Sequence, residues 1–438
     1  MISSINVLHV LKVINKRREN AMKRGRFFVC VFAMFLCCFL WTAAGQADEI
    51  VIGYTGPLSG PGAEYGQDIL NGVDMAVKEI NAAGGITVGG KKYTIRLDKL
   101  DDRIDPTQAV NNARRFRANG AIAVFNGVFN TIAPMMKINE EHGNEFIMMA
   151  YTSTPKVTEL KNKLLVNTTL PFTVYVEVFT DWAKKKGWKK CAIACTLGAY
   201  GDEWRQIFKE VWEKKGGIVT IQKPANYYTE TDFSAPLTAA LATKPDFMLI
   251  GGPSATTALF IEQARNMGFK GGFVLVDQAK QDYIEMLLKG THLMGDLIGT
   301  AGVASLPWVP GRGQEFYNKY PKQYKRMVTW ECALNYTATH SLIRAVQAAG
   351  TVTDVYKIRA AFPKVYPLLA DNYPNEVFGI NEKGNTLIMA SVQTITGGKS
   401  DPSSLYVWWT RDKKQFEQIK KTTKTHKSVP ILWFPTVH

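Results

Sequence analysis

Two turns rich in hydroxyl and amide side chains each follow a short apolar run. Ala121–Phe125 leads into Asn126, Gly127, Val128, Phe129, Asn130 and Thr131, and Phe146–Ala150 leads into Tyr151, Thr152, Ser153, Thr154 and Pro155. Both runs read as buried strands, and a helix is expected to start near Thr131. Asn130 and Thr131 then stand where N-caps belong, so their side chains and the unsatisfied N–H groups behind them suit an anion. Capping alone explains any single one of these hydroxyls; two such turns on consecutive strand ends favour a binding site. An acid, Asp277, closes a third apolar run, Phe273–Val276, and suits a cation, with an acidic cap on the following loop as the alternative.

The elements that would hold these turns alternate along the chain. Strands are predicted at Ile50–Tyr54, Tyr93–Leu97, Ala121–Phe125, Phe146–Ala150, Cys191–Thr196, Ile218–Gln222, Phe247–Ile250, Phe273–Val276 and Ile298–Val303. Helices are predicted between them, at Pro106–Ala118, Thr131–Glu141, Thr173–Lys186, Gly201–Lys215, Phe233–Thr243, Ala255–Met267, Gln314–Tyr320 and Trp330–Ala349. A further helix follows the first strand, with Ile69, Val73, Ala76, Val77 and Ile80 at helical spacing and a stop at Ala83–Gly85, where glycine supplies the left-handed cap. Strands alternating with helices imply parallel sheets, and the chain is long enough for two lobes.

The stretch Ile50–Ile86 resembles, over its whole length, the opening of the periplasmic solute-binding proteins that serve branched-chain amino acid ABC importers. The strand, the loop Ser59-Gly60-Pro61 to Tyr65-Gly66, and the helix ending in Ile80-Asn81-Ala82 before Gly84-Gly85-Ile86 recur together in that family. The resemblance implies an α/β chain of the type I periplasmic binding protein fold: two Rossmann-like lobes joined by three hinge crossovers, with a small solute in the cleft. The crossovers are expected near Thr168–Pro171, Ile298–Gly302 and Phe378–Gly379. The first lobe is then 48–169 plus 300–378, and the second 170–299 plus 379–438.

The resemblance also implies roles. Phe129, Asn130 and Thr131, with Tyr151, Thr152 and Ser153, align with the turns that hold a ligand carboxylate, and Asp277 with the acid that meets the amino group. Tyr65 and Tyr200 match aromatic positions on the pocket wall, and Pro253 sits where another contact residue is expected, often an aromatic one. Trp204, one turn beyond Tyr200, either joins that wall or packs in the core. Phe129 and Tyr151 replace smaller residues expected in leucine or valine binders, which brings flat ligands into consideration. The implied protein is a receptor without catalysis or cofactor, whose partners are the small solute, an amino acid or related carboxylate or amide, and the permease of an ABC importer. The alternatives are a receptor for aromatic carboxylates or amides lacking an amino group, and a sensory domain of the same fold.

Residues upstream suit export to the periplasm. Lys23, Arg24 and Arg26 precede the 15-residue run Phe27–Trp41, and Ala43–Ala47 offers small residues for cleavage after Ala47. That run is shorter than the roughly 20 residues a membrane span needs. Met22 would start a signal peptide of ordinary length, so residues 1–21 suggest either a misplaced start or an extended basic leader. Removing residues 1–47 leaves Cys191, Cys195 and Cys332. The first two lie four residues apart on one strand, about 13 Å, too far to pair. The disulfide positions of the best-known family members correspond here to Ile104 and a residue near Phe129, so that bridge is absent.

The net charge of +15 falls to +9 beyond residue 47, because residues 1–47 hold seven Lys or Arg and one Glu. Acidic residues are interspersed throughout and no zinc or RNA-binding motif occurs, which argues against nucleic acid. The first loop lacks Gly-x-Gly-x-x-Gly spacing, and Pro57 removes an N–H where a phosphate cradle needs one. The six histidines are scattered, without metal-ligand spacing. Asp98, Asp101, Asp102 and Asp105 cluster, but Asp105 before Pro106 reads as a helix cap. The basic stretch Arg411–Lys427 reads as a solvated helix face.

Overall fold

The computed structural model describes residues 48–60, 62–425 and 428–435, together with Lys12 and Lys16. The expected signal peptide and its cleavage point otherwise lie outside the described residues. Two separate sheets organise the chain. The first contains β1 (Asp48–Gly56), β2 (Ile86–Val88), β3 (Lys91–Asp101), β4 (Ala121–Asn126), β5 (Ile147–Ala150) and β6 (Leu165–Asn167), in the order β2-β3-β1-β4-β5-β6. β1, β4, β5 and β6 run parallel, and β2 and β3 form an antiparallel hairpin.

The second sheet contains β7 (Lys190–Cys195), β8 (Ile218–Gln222), β9 (Phe247–Gly251), β10 (Gly272–Leu275), β11 (Leu297–Thr300), β12 (Ala390–Thr396), β13 (Lys399–Ser400), β14 (Ser404–Val407) and β15 (Ile431–Trp433). Its order is β15-β14-β12-β11-β10-β9-β7-β8, with β13 paired to β12. The parallel strands β7, β9 and β10 are buried throughout, apart from Lys190, and read as continuous apolar runs, as sheets covered on both faces do. The fold is thus α/β with two Rossmann-like lobes.

The chain passes between the sheets three times. It leaves the first sheet after β6, enters the second through the helix Thr173–Lys185, and leaves it again after β11. The helix Trp330–Ala349 then packs on Ala63–Ala82 of the first lobe. Near the last passage the chain touches β6, where Asn167 N–H donates to Gly384 O (2.7 Å) and Thr386 N–H to Asn167 O (2.9 Å). It then returns as β12, antiparallel to β11.

The Ala63–Ala82 helix buries the predicted Ile69, Val73, Ala76, Val77 and Ile80, and it stops where Gly84 and Gly85 take φ of 96° and 79°. Its packing on Trp330–Ala349 depends on Gly72, where a Cβ would stand 2.2 Å from the backbone oxygen of Cys332. Backbone on both sides leaves no flexible side chain to yield. Gly72→Ala is therefore expected to cost on the order of 1–3 kcal/mol, as overpacking does. Denaturant unfolding that shows no loss would mean the two helices separate freely.

Several expectations shift in detail. The helix expected at Thr131–Glu141 is Phe129–Met135, and the strand expected to reach Val303 ends at Thr300. The β2 arm of the hairpin, the strands after residue 390 and the helix Val355–Ala361 were not predicted. The basic stretch does hold a helix, Lys413–Thr422, which buries only Phe416 and Ile419. Asp105 caps Pro106–Ala118 by accepting from Thr107 N (2.7 Å) and Gln108 N (2.9 Å). Asp101 accepts from Leu58 N and Ser59, and Asp102 from Thr55, Asn126 and Ile104 N, so both acids tie the first loop to its neighbours.

Candidate functional site

The carboxyl ends of β4 and β5 in one lobe and of β7, β8 and β10 in the other face a common cleft, the usual place for ligands in such sheets. An inner cavity of about 40 Å³ lies there, and Tyr65, Phe129, Tyr151, Thr152, Ser153, Tyr200 and Asp277 all line it. Seven of the ten predicted residues thus converge. Asn130 stands exposed in an outer vestibule of about 480 Å³, which shares Val128, Phe129, Tyr200 and Tyr228 with the inner cavity. A larger hollow of about 740 Å³ near His340 involves neither set of strand ends.

Two predicted residues lie elsewhere. Thr131 is fully buried, its hydroxyl directed at Asn126 Oδ1 and Val128 O, both 2.9 Å away. The helix begins at Phe129, two residues earlier than expected, because Asn126 Oδ1 already holds Val128 N–H at 2.8 Å. That register turns Thr131 into the lobe and Asn130 outward. Pro253 does not line the cavity either: it is the N-cap residue of Ser254–Asn266, and its carbonyl accepts from the hydroxyls of Thr256 and Thr257.

Asp277 is the centre of the arrangement. Tyr200 donates its phenol hydrogen to Asp277 Oδ1 at 2.5 Å, and Trp204 Nε1–H donates to the same oxygen at 3.0 Å. Ser153 of the opposite lobe lines the same cavity as the carboxylate. Burial raises the Asp277 pKa above the usual carboxylate range, and the bonds from Tyr200 and Trp204 counter that effect. Trp204 itself is core: it is fully buried and stacks on Phe172 with centroids 4.7 Å apart. It therefore orients the acid and does not form the wall.

The wall is aromatic. The Tyr65 and Tyr151 rings lie 6.1 Å apart, and Tyr65 donates to Gly127 O at 3.1 Å. Burial raises the pKa of Tyr65, Tyr151 and Tyr200 well above that of a free phenol, reinforced by the charges of Glu331 and Asp277 at Tyr65 and Tyr151 and by Asp277 at Tyr200, so all three stay protonated.

Four lining residues escaped the sequence reading: Thr169, Tyr228, Gln278 and Glu331. Gln278 donates from Nε2 to Tyr228 OH at 2.7 Å, while its Oε1 is buried without a hydrogen-bond partner. Glu331, only 2% exposed, places Oε1 3.5 Å from Tyr151 OH. Behind it lies Lys280 of the second lobe, 3% exposed, with Nζ 3.5 Å from Glu331 Oε2, 3.5 Å from Asp68 and 3.6 Å from Glu64. Arg326 joins the same group through Asp68 and Glu64. Burial raises the Glu331 pKa, and the Lys280 charge opposes it. Among the described residues no cluster of His, Cys, Asp and Glu could hold a metal ion.

Residues 49–385 match the family model described as periplasmic binding protein. The chain belongs to the periplasmic binding protein family. Among its relatives is the Leu/Ile/Val-binding protein homolog 3 of Brucella melitensis, 29% identical over 264 residues, which are 60% of this chain and 69% of that protein. The chain spans about three fifths of several other curated relatives, among them the Leu/Ile/Val-binding protein of Escherichia coli. Solved structures share the fold. LivJ of Streptococcus pneumoniae, a branched-chain amino acid transporter substrate-binding protein in complex with isoleucine, superposes with a TM-score of 0.69 at 19% identity, covering 82% of this chain and 99% of that one. A solute-binding protein from R. palustris in complex with benzoate gives 0.67 at 17% identity, covering 81% of this chain and 95% of that one. In this periplasmic binding protein, residues that follow strands of both sheets line the inner cavity.

Proposed function

We propose that this periplasmic binding protein is an exported receptor of an ABC importer, which takes an amino acid or a related small carboxylate or amide between its lobes and presents it to the permease. The observation that carries this reading is one cavity lined by Tyr65, Tyr151 and Ser153 of the first lobe together with Tyr200 and Asp277 of the second. A solute touching both sides favours the closed form, and only differential contact of that kind drives hinge closure. The names of the curated relatives and the isoleucine complex of LivJ agree with it. Export to the periplasm and delivery to permease subunits belong to the same proposal, in line with the leader expected over residues 1–47.

A second reading, an aromatic carboxylate or an amide without an amino group, is favoured by Phe129 and Tyr151 on the cavity wall. Thermal denaturation separates the two. A ligand at 100 times its Kd adds about 2.7 kcal/mol of stability and raises the melting temperature. One or more aliphatic amino acids are expected to do so under the first reading. A rise with aromatic acids or amides alone selects the second, and no rise with any of these solutes would remove the receptor assignment.

A further inference from the structure

The helix Lys413–Thr422 carries a charge pattern for which the solute site has no use. From Arg411 to Lys424 the chain holds six Lys or Arg against Asp412 and Glu417, a net +4 in 14 residues. Arg411, Lys413, Lys414, Lys420 and Lys421 are all exposed. Among the described residues none of the six cations forms an ion pair. Lysines on other helices are paired at a spacing of four, Lys78 with Asp74, Lys209 with Glu213 and Lys319 with Glu315. Glu417 stands at that spacing from both Lys413 and Lys421 and joins neither. Asp412 is occupied as the N-cap, accepting from Lys414 N at 2.8 Å.

The charges are also one-sided. At 3.6 residues per turn, Lys413, Lys414, Lys420 and Lys421 fall within about a third of the helix circumference. Phe416 and Ile419 form the buried side, and the lysine stripe leans towards Phe416. There Trp433 of β15 stacks on the Phe416 ring with centroids 5.8 Å apart, and Lys420 Nζ lies 5.9 Å from the centre of the same ring. Trp433 is 37% exposed, although its Nε1–H is already bonded to Thr410 O at 2.8 Å. What it shows to solvent is therefore carbon, next to ammonium groups. Indole rings settle at the headgroup level of bilayers, and clustered lysines are drawn to anionic lipid. Ammonium groups on flexible stems fix no geometry, so they suit a fluid charged surface better than a shaped acidic partner.

We infer that the face formed by the helix Lys413–Thr422 and Trp433 docks on a bilayer containing anionic phospholipid, with the lysines against phosphate and the indole among the headgroups. Such docking keeps an exported receptor close to the membrane in which its permease lies. It is independent of which solute the cleft takes.

Co-sedimentation of the exported protein with vesicles tests it, with phosphatidylcholine alone against phosphatidylcholine mixed with phosphatidylglycerol. Binding is expected to the anionic vesicles only, and to fall at least about tenfold between low and high salt, because ions screen such contacts. Each lysine close to an anionic surface contributes about fivefold in affinity. Replacing Lys413, Lys414, Lys420 and Lys421 together with Gln is thus expected to weaken binding on the order of a hundredfold or more. Replacing Lys92, Lys137, Lys163 and Lys364, exposed lysines of the first lobe, with Gln removes the same charge from another surface and is expected to weaken it less than about threefold. All eight are exposed, so both variants should melt as the parent does. Equal losses in the two variants would mean that total charge attracts the vesicles and would overturn the inference. So would equal binding to both vesicle types, or binding to neither, which would leave an acidic protein as the partner of this face. Trp433→Ala is expected to weaken binding about threefold or more with the salt dependence retained, and unchanged binding removes the indole from the contact. Thermal shift with solutes decides the receptor reading separately, so either can fail alone.

Discussion

Replacing Lys280 with alanine is expected to shift the protein towards an open form and weaken ligand binding by at least tenfold. Lys280 lies just ahead of the helix Gln281–Leu287 in the second lobe, whereas its three acidic partners, Glu64, Asp68 and Glu331, lie on two packed helices of the first. Its side chain is 3% exposed, so the ion group is the most deeply buried charged contact described between the lobes. Burial alone would lower the lysine pKa, but Glu331, Glu64 and Asp68 together outweigh it and hold the ammonium charged. Glu64 extends the clasp by accepting from Ser254 N–H at 3.3 Å, at the start of the second-lobe helix Ser254–Asn266. Removing one member of a buried ion group typically costs on the order of 3–5 kcal/mol, because the partners are left charged and dry.

A two-lobed chain has an escape from that cost, since opening the cleft returns the acids to water. The loss should therefore appear mainly as a displaced open–closed equilibrium and only partly as a lower melting temperature. Small-angle scattering should record a larger radius of gyration for Lys280→Ala without ligand, and Lys280→Met, which keeps the apolar stem, should behave alike. A variant with unchanged scattering, affinity and melting temperature would show that the contact contributes nothing to closure.

The contrast between Lys280 and Tyr200 shows what the sequence could reveal. Tyr65, Tyr151, Ser153, Tyr200 and Asp277 sit in or beside turns that follow recognisable strands, so topology delivers them to one cleft once the strands are parallel. The exact register of a turn is less legible. Asn126, the last residue of β4, captures Val128 N–H, starts the helix at Phe129, and so decides that Thr131 points inward and Asn130 outward. Pro253 shows the same effect, because as an N-cap residue its orientation follows from the helix start at Ser254. Glu331 and Lys280 were illegible for another reason. An acid in the first turn of a helix and a lysine just before one are ordinary surface patterns, and only tertiary packing reveals that the lysine meets Asp68, 212 positions away in sequence. The partners of a buried charge are a property of the fold, not of any local window.

Asp277 offers the complementary test, on the ligand side of the same cleft. Asp277→Ala should weaken an amine- or amide-bearing ligand by more than about 2 kcal/mol, roughly thirtyfold, as expected for losing a buried charge-assisted hydrogen bond. It should also lower the stability of the closed form, because Trp204 Nε1–H, on a fully buried ring, and the Tyr200 hydroxyl both lose their acceptor. Asp277→Asn separates these effects. Its remaining carbonyl oxygen can still accept from Trp204 or Tyr200, so the melting temperature should recover most of the loss while affinity for a cationic head does not. The same pair of variants distinguishes Asp277 from Lys280: the first should change which solutes bind, the second how readily the cleft closes on any of them. Calorimetry with the solute that gives the largest thermal shift would exclude Asp277 from the site if Asp277→Ala bound it unchanged. Affinity restored in full by asparagine would show that the residue acts through its hydrogen bonds to Trp204 and Tyr200, without any contribution from its charge.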